Sequence, residues 1–177
     1  GMASFKSDLE DLSFRYTEPD AYRELSTKVA KTRKERERYI EDVCRTLQSR
    51  LAEQGFAAEI SGRAKHLYSI WRKMVSQKCD YEQVYDVIAF RVVVESVADC
   101  YAVLGVIHSK WTPVPGRFKD YIALPKPNQY RSLHTTVIGP GRERIEIQTR
   151  THEMHRVAEL GIAAHWKYKQ RLSGGVD

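Results

Sequence analysis

The chain has 177 residues, of which 42% are hydrophobic and 29% charged. That is the make-up of one folded domain with a flanking segment, and it excludes a disordered or fibrous chain. The net charge of +6 suits a polyanionic partner, but its sign alone does not choose among nucleotides, nucleic acid and an acidic membrane.

Residues 1–20 are polar and end in Thr17-Glu18-Pro19-Asp20. Pro19 stops any helix there and Asp20 can cap the next one. Residues 21–54 read as one long charged helix with a sparse apolar stripe of Val29, Ile40, Val43, Leu47 and Leu51, closed by Gly55. Its KTRKERER run reads as a solvated face with i,i+4 pairs in preference to a nucleic-acid patch. Residues 56–60 are a short strand candidate, and Gly62 leads into a helix over 64–77. Residues 85–94, YDVIAFRVVV, are nearly continuously apolar, as in a central strand covered on both faces. A helix over 98–110 follows. Residues 111–131 hold four of the six prolines and form a long loop with aromatic tips, the kind that carries function. Residues 133–138 and 144–149 flank Gly139-Pro140-Gly141-Arg142 as a hairpin. Thr151 caps a last helix to about residue 169, and 172–177 are a tail. Mixed helices and strands around an antiparallel hairpin give an α+β fold.

Four groups of residues bear chemistry. Lys65, Ser69 and Lys73 are spaced i, i+4, i+8 near a helix start, which suits a polyphosphate but equally a plain basic helix face. Asp86 opens the apolar strand and Arg91 lies inside it. A metal ligand and a buried Asp–Arg pair are both open. Strand alternation puts Arg144, Glu146 and Gln148 on one face, either a solvated surface or the floor of a site with Glu146 as base or metal ligand. The loop offers Lys119, Lys126, Asn128 and Tyr130, followed by His134. Tyr130 is either a packed anchor or a base-stacking platform. Asp86 and Glu146 approach each other only if their strands are neighbours.

Several patterns are excluded. There is no GxxxxGK[ST], no GxGxxG and no adjacent His-Asp pair, and the histidines of His152-Glu153-Met154-His155 are too close for a metalloprotease helix. The three cysteines lack CxxC spacing, which argues against a disulfide framework and for a reducing, cytoplasmic home. No apolar run approaches the ~18 residues of a membrane span. The start lacks a signal peptide's apolar stretch, and Gly1 before Met2 has the look of a tag remnant.

Read together, SGRAKHLYSIWRKM, YDVIAFRVVV, PGRFKDYIALPKPNQYRSLHTTV and IEIQTRTHEMHRVAELGIAAHW resemble the RelA/SpoT family of (p)ppGpp synthetases, in the same order over about residues 55–168. The resemblance implies a nucleotidyltransferase-like fold of the polymerase-beta type, a mixed sheet flanked by helices. It implies transfer of the β,γ-pyrophosphate of ATP to the 3′-hydroxyl of GDP or GTP, with Mg²⁺ as cofactor. It divides the chain into a connector and charged helix (1–54), a synthetase domain (55–170) and a tail (171–177). Arg63 and Arg91 then resemble the pair that sandwiches adenine, and Lys65, Ser69 and Lys73 the ATP phosphate contacts. Asp86 and Glu146 resemble the metal-binding and catalytic carboxylates. Tyr130 resembles the guanine-stacking tyrosine, with Lys119, Lys126, Asn128, His134 and Gln148 around the acceptor. The basic Arg117-Phe118-Lys119-Asp120 resembles the version found in bifunctional members. The resemblance also implies flanking hydrolase and regulatory domains in a longer protein, a ribosome or tRNA link through those parts, and no membrane partner. The missing His-Asp pair implies that this piece does not degrade the alarmone. Two departures stand out: the family's NGYQS is Asn128-Gln129-Tyr130-Arg131-Ser132 here, and its EIQIRT is Glu146-Ile147-Gln148-Thr149-Arg150-Thr151. The rival reading is a non-catalytic regulatory or RNA-binding module that keeps the fold. Oligomeric state is not legible.

Overall fold

In the computed structural model, which describes residues 2–63, 65–85 and 88–161, the elements follow the hydrophobic periodicity closely. The chain runs α1 (Met2–Thr17), α2 (Pro19–Glu53), β1 (Ala58–Arg63), α3 (Leu67–Gln77), α4 (Tyr81–Tyr85), β2 (Ile88–Val94) and α5 (Val97–Lys110). It continues through β3 (Thr112–Pro113), β4 (Lys119–Asp120), β5 (Leu133–Ile138) and β6 (Arg144–Thr151), then a helix over residues 152–161, α6. The strands form one mixed sheet in the order β1-β2-β6-β5-β3, with β4 also on β5. The β2–β6 pair is parallel and the other pairs are antiparallel.

The register explains the burial. One set of rows runs Ile88–Ile145–Val137 and Phe90–Ile147–Thr135. With Val92 and Val94, the apolar residues of these rows (Ile88, Phe90, Val137, Ile145 and Ile147) pack against Val43, Leu47 and Leu51 of α2 and Cys100, Val103 and Ile107 of α5. Ser96 caps α5, its hydroxyl accepting from the Asp99 N–H. The end of α2 is a Schellman motif. Gly55 takes φ +82°, its N–H donates to Ala52 C=O, and the Phe56 N–H donates to Leu51 C=O.

A second apolar cluster lies among the helices. Phe14, Leu25, Ile70, Tyr81 and Val84 join α1, α2, α3 and α4, and Phe14 stacks on Trp71 with ring centroids 5.0 Å apart. The helix α3 is thus anchored by other helices. Asp11 of α1 reinforces this: its Oδ1 accepts from the Tyr68 N–H in the first turn of α3, and its Oδ2 lies 3.5 Å from His66 Nδ1.

The long charged helix, the central strand, the hairpin and the Thr151 cap all stand as expected, the last with the Met154 N–H donating to Thr151 Oγ1. Arg33 and Glu37 pair at 2.9 Å in the KTRKERER run. Four expectations need correction. Pro19 occupies the first turn of α2 and Glu18 the cap position, so Asp20 lies inside the helix. The segment after Gly62 is not yet helical, because β1 continues to Arg63, paired with Ala89, and α3 starts at Leu67. Gly62 serves close approach, since a Cβ there would strike the Ile40 side chain of α2. Tyr85, expected to open the 85–94 strand, closes α4 instead, because Tyr81 and Val84 are drawn into the helical cluster. Finally, β6 runs to Thr151, past the expected end at 149.

Gly62→Ala should lower stability by ~1–3 kcal/mol through overpacking against Ile40. Thermal unfolding checks this, and Ile40→Ala in the same chain should restore part of the loss.

Candidate active site

The second face of the sheet is polar, and the register builds it. Arg63–Ala89–Glu146–Thr136 form one row and Ser61–Arg91–Gln148–His134–Lys119 the next. The expected acidic and basic residues of five strands therefore share one surface. The strand that follows Asp86, β2, is the parallel neighbour of β6, which carries Glu146. Asp86 itself lies outside the described residues.

Beside Glu146 is a connected polar cluster. Gln148 Nε2 donates to Glu146 Oε1 at 2.9 Å, and Arg150 Nη2 donates to Gln148 Oε1 at 2.9 Å. Arg150 Nη2 also donates to Tyr130 Oη at 3.4 Å, and Tyr130 Oη lies 2.7 Å from His134 Nε2. His134 Nδ1 is 3.9 Å from Glu146 Oε1, which closes the circuit. Burial outweighs the pull of Glu146 and pushes the His134 pKa down to about 4, so the ring is neutral near pH 7. In the tautomer with the imidazole proton on Nδ1, that proton faces Glu146 and Tyr130 Oη donates to Nε2, an arrangement the heavy-atom positions fit.

Tyr130 is presented by a tight turn. The Gln129 N–H donates to Lys126 C=O, the Lys126 N–H to Tyr130 C=O, and the Tyr130 N–H to Asn128 Oδ1. This is a three-residue loop whose last position must be left-handed, and Gln129 takes φ +64° there. The glycine of the family's usual NGYQS stands at this position, and the backbone keeps the glycine conformation without the glycine. Lys126 Nζ lies 4.6 Å from the Tyr121 ring centroid and 5.3 Å from that of Tyr130. Tyr121 meets His134 edge-on at 5.2 Å. Asn128 thus holds the turn, and Lys119 is exposed at the row's end.

On the other side, Lys65 precedes α3 and does not share a helix face with Ser69 and Lys73, which are exposed on α3. Burial, with a smaller push from Lys73, brings the Lys65 pKa down to about 8, while Glu146 acts in the opposite sense. Lys65 therefore feels both Lys73 and Glu146. Lys65, Arg63 and His66 also line a cleft of about 550 Å³ against Arg33 and Arg36 of α2. Burial and the Arg63 charge lower the Arg91 pKa.

Tyr121 and Arg150 belong to the cluster but were not expected. Arg150 continues the Glu146–Gln148 alternation by one step and was lost by ending the strand at 149. Nothing in the sequence marks Tyr121 beyond its place in the aromatic loop. Thr149, on the opposite face, is 1% exposed and its Oγ1 has no hydrogen-bond partner, a buried-polar cost of ~1–3 kcal/mol.

This sheet and its helices match solved synthetase structures. The small alarmone synthetase 2 of Bacillus subtilis superposes with a TM-score of 0.62 at 26% identity, covering 84% of each chain. The small alarmone synthetase 1 of the same organism, solved with its product pppGpp, gives 0.60 at 22% identity over 80% of this chain and 79% of that one. The fold is therefore the mixed α+β fold of alarmone synthetases. The sequence model for the region found in RelA/SpoT proteins matches residues 62–173, and the chain belongs to that family. It is 56% identical over 170 residues to a GTP pyrophosphokinase of Myxococcus xanthus, covering 96% of this chain and 22% of that protein. It is 46% identical over 175 residues to the GTP pyrophosphokinase of Escherichia coli K12, covering 99% and 24%. A probable guanosine-3′,5′-bis(diphosphate) 3′-pyrophosphohydrolase of Synechocystis is 54% identical over 178 residues, covering 100% and 23%. The chain spans under a quarter of the length of these curated relatives. Among the described residues no helix is long and apolar enough to cross a membrane.

Gln129→Gly should stabilise the chain by ~0.5–1 kcal/mol, since relief of the left-handed strain exceeds the added chain entropy. A rise in melting temperature checks it.

Proposed function

We propose that this chain transfers the β,γ-pyrophosphate of ATP to the 3′-hydroxyl of GDP or GTP. The observation that carries the reading is the shared polar face, where Arg63, Arg91, Glu146, Gln148 and His134 fall on two adjacent register rows. Pyrophosphoryl transfer asks for positioning and charge neutralisation more than covalent help, and a fixed sheet face supplies both.

Arg63 and Arg91 hold adenine between their guanidiniums. Lys65, Ser69 and Lys73 take the phosphates. Tyr130 stacks on guanine, with Lys119, Lys126, Asn128, His134 and Gln148 around the acceptor. Glu146 receives the 3′-hydroxyl proton. Gln148 already occupies Oε1, so Oε2 is the oxygen offered to the hydroxyl. The neutral His134 can orient that carboxylate without protonating it.

Asp86 and Glu146 fit Mg²⁺, a hard cation that takes one or two carboxylates and completes its shell with waters and nucleotide phosphates. When bound it supplies charge neutralisation at the transferring group. Asp86 precedes β2 by two residues, and β2 pairs Ala89 with Glu146, which supports this assignment. Within a longer protein, flanking hydrolase and regulatory parts would govern the activity of this piece.

Two experiments test the reading. With γ-labelled ATP, Mg²⁺ and GDP or GTP, wild type should form labelled tetra- or pentaphosphate. Glu146→Gln and Asp86→Asn should each lose at least ~10²-fold. No product from wild type, with no Mg²⁺-dependent nucleotide binding either, would overturn it. The pH profile gives a second handle. Lys65 loses its proton near pH 8 in the free protein, so kcat/KM for ATP should fall above that pH in wild type and stay level in Lys65→Arg.

A further inference from the structure

We propose that Arg150 is the positioning residue of the acceptor side, holding the Tyr130 ring and the Gln148 amide in the poses the acceptor nucleotide needs. The inference rests on the pyrophosphate-transfer reading above, which gives Arg150 no part.

Arg150 is 2% exposed, and among the described residues no carboxylate lies within ion-pairing distance of it. Glu159 of α6 attracts it only from farther away, while Arg91 and Arg63 repel it. A cation in such a place is costly unless its donors are needed. Two of its contacts are specific. One Nη2 serves both Gln148 Oε1 at 2.9 Å and Tyr130 Oη at 3.4 Å. The guanidinium carbon also lies 5.4 Å from the Tyr130 ring centroid, so the ring is held at its face and at its hydroxyl. Lys126 approaches the same ring at 5.3 Å. Nε is buried without a partner, which a side chain kept only for packing would not tolerate.

The consequence for chemistry runs along two branches. Through Gln148, Arg150 fixes which way the amide points. With Oε1 turned to Arg150, Nε2 must face Glu146, as it does at 2.9 Å. Through Tyr130, it occupies one lone pair of the hydroxyl that lies 2.7 Å from His134 Nε2, and so favours the tautomer with the imidazole proton on Nδ1, beside Glu146. The turn's hydrogen bonds fix the Tyr130 backbone, and Arg150 adds contacts to its ring and hydroxyl. Lysine keeps the charge but lacks the planar guanidinium that lies against the Tyr130 ring.

The test compares wild type with Arg150→Met, Arg150→Lys and Tyr130→Phe, after confirming by melting temperature that each folds. Steady-state kinetics are read separately for ATP and GDP, and the His134 ring nitrogens by ¹⁵N NMR. Arg150→Met should raise KM for GDP roughly 10- to 100-fold, the loss of a charged hydrogen bond, while KM for ATP changes less than about twofold. Arg150→Lys should recover only part. Tyr130→Phe should cost less in the Arg150→Met background than in wild type. The ring spectrum should show the proton on Nδ1 in wild type and a mixed or reversed tautomer in Arg150→Met. Equal changes in both KM values, or an unchanged KM for GDP, would overturn the proposal. Should wild type prove inactive, the functional reading fails, and an unaltered His134 spectrum in Arg150→Met and Arg150→Lys would still refute the role of Arg150.

Discussion

The parallel pairing of β2 with β6, in the register that sets Ala89 beside Glu146 and Arg91 beside Gln148, is the constraint on which the rest depends. Side chains alternate with period two, so a slip of one residue would turn Glu146, Gln148 and Arg150 into the apolar core against α2 and α5 and carry Ile145 and Ile147 onto the polar face. Register is held by the apolar rows against α2 and α5, where Phe90, Val92, Ile145 and Ile147 are fully buried. The core that stabilises the domain and the face that would do its chemistry are therefore two sides of one ladder.

The two sides of the proposed site are mounted differently. Glu146, Gln148, Arg150 and His134 stand on sheet strands, where backbone pairing fixes them. Ser69 and Lys73 stand on α3, which belongs to the helical cluster around Phe14 and Ile70. Lys65 lies in the link between the two, and its pKa, lowered first by burial and then by Lys73, is held up by Glu146. Any shift of α1 or α2 relative to the sheet would be felt first there, because Asp11 grips the start of α3. That arrangement suits a domain whose relatives are more than four times its length.

Most of this was legible in the residues because it rests on periodicity. The apolar run read at 85–94, of which 88–94 is strand, the alternation at 144–148 and the glycines at 55, 139 and 141 follow local rules, and the structure obeys them. What escaped was decided by tertiary contact. Gly62 reads as a break, yet it continues a strand because α2 comes too close for a side chain. Lys65 matches a helical spacing with Ser69 and Lys73, yet β1 takes the preceding residues into the ladder. Arg150 falls just past the strand expected over 144–149, and only the β2 partner extends that strand to Thr151. The Gln129 departure seemed to threaten the loop. The hydrogen bonds around Lys126 and Asn128 keep the turn, at the cost of a strained residue. Asp86 lies outside the described residues, and its role rests on the family resemblance and its place in the sequence.

The most direct measurement is a crystal structure of the chain with a non-hydrolysable ATP analogue, Mg²⁺ and GDP. The account predicts adenine between Arg63 and Arg91, guanine on Tyr130, and the acceptor 3′-oxygen within hydrogen-bond reach of Glu146 on the polar sheet face. Nucleotides seated elsewhere, or an acceptor hydroxyl turned away from Glu146, would contradict it.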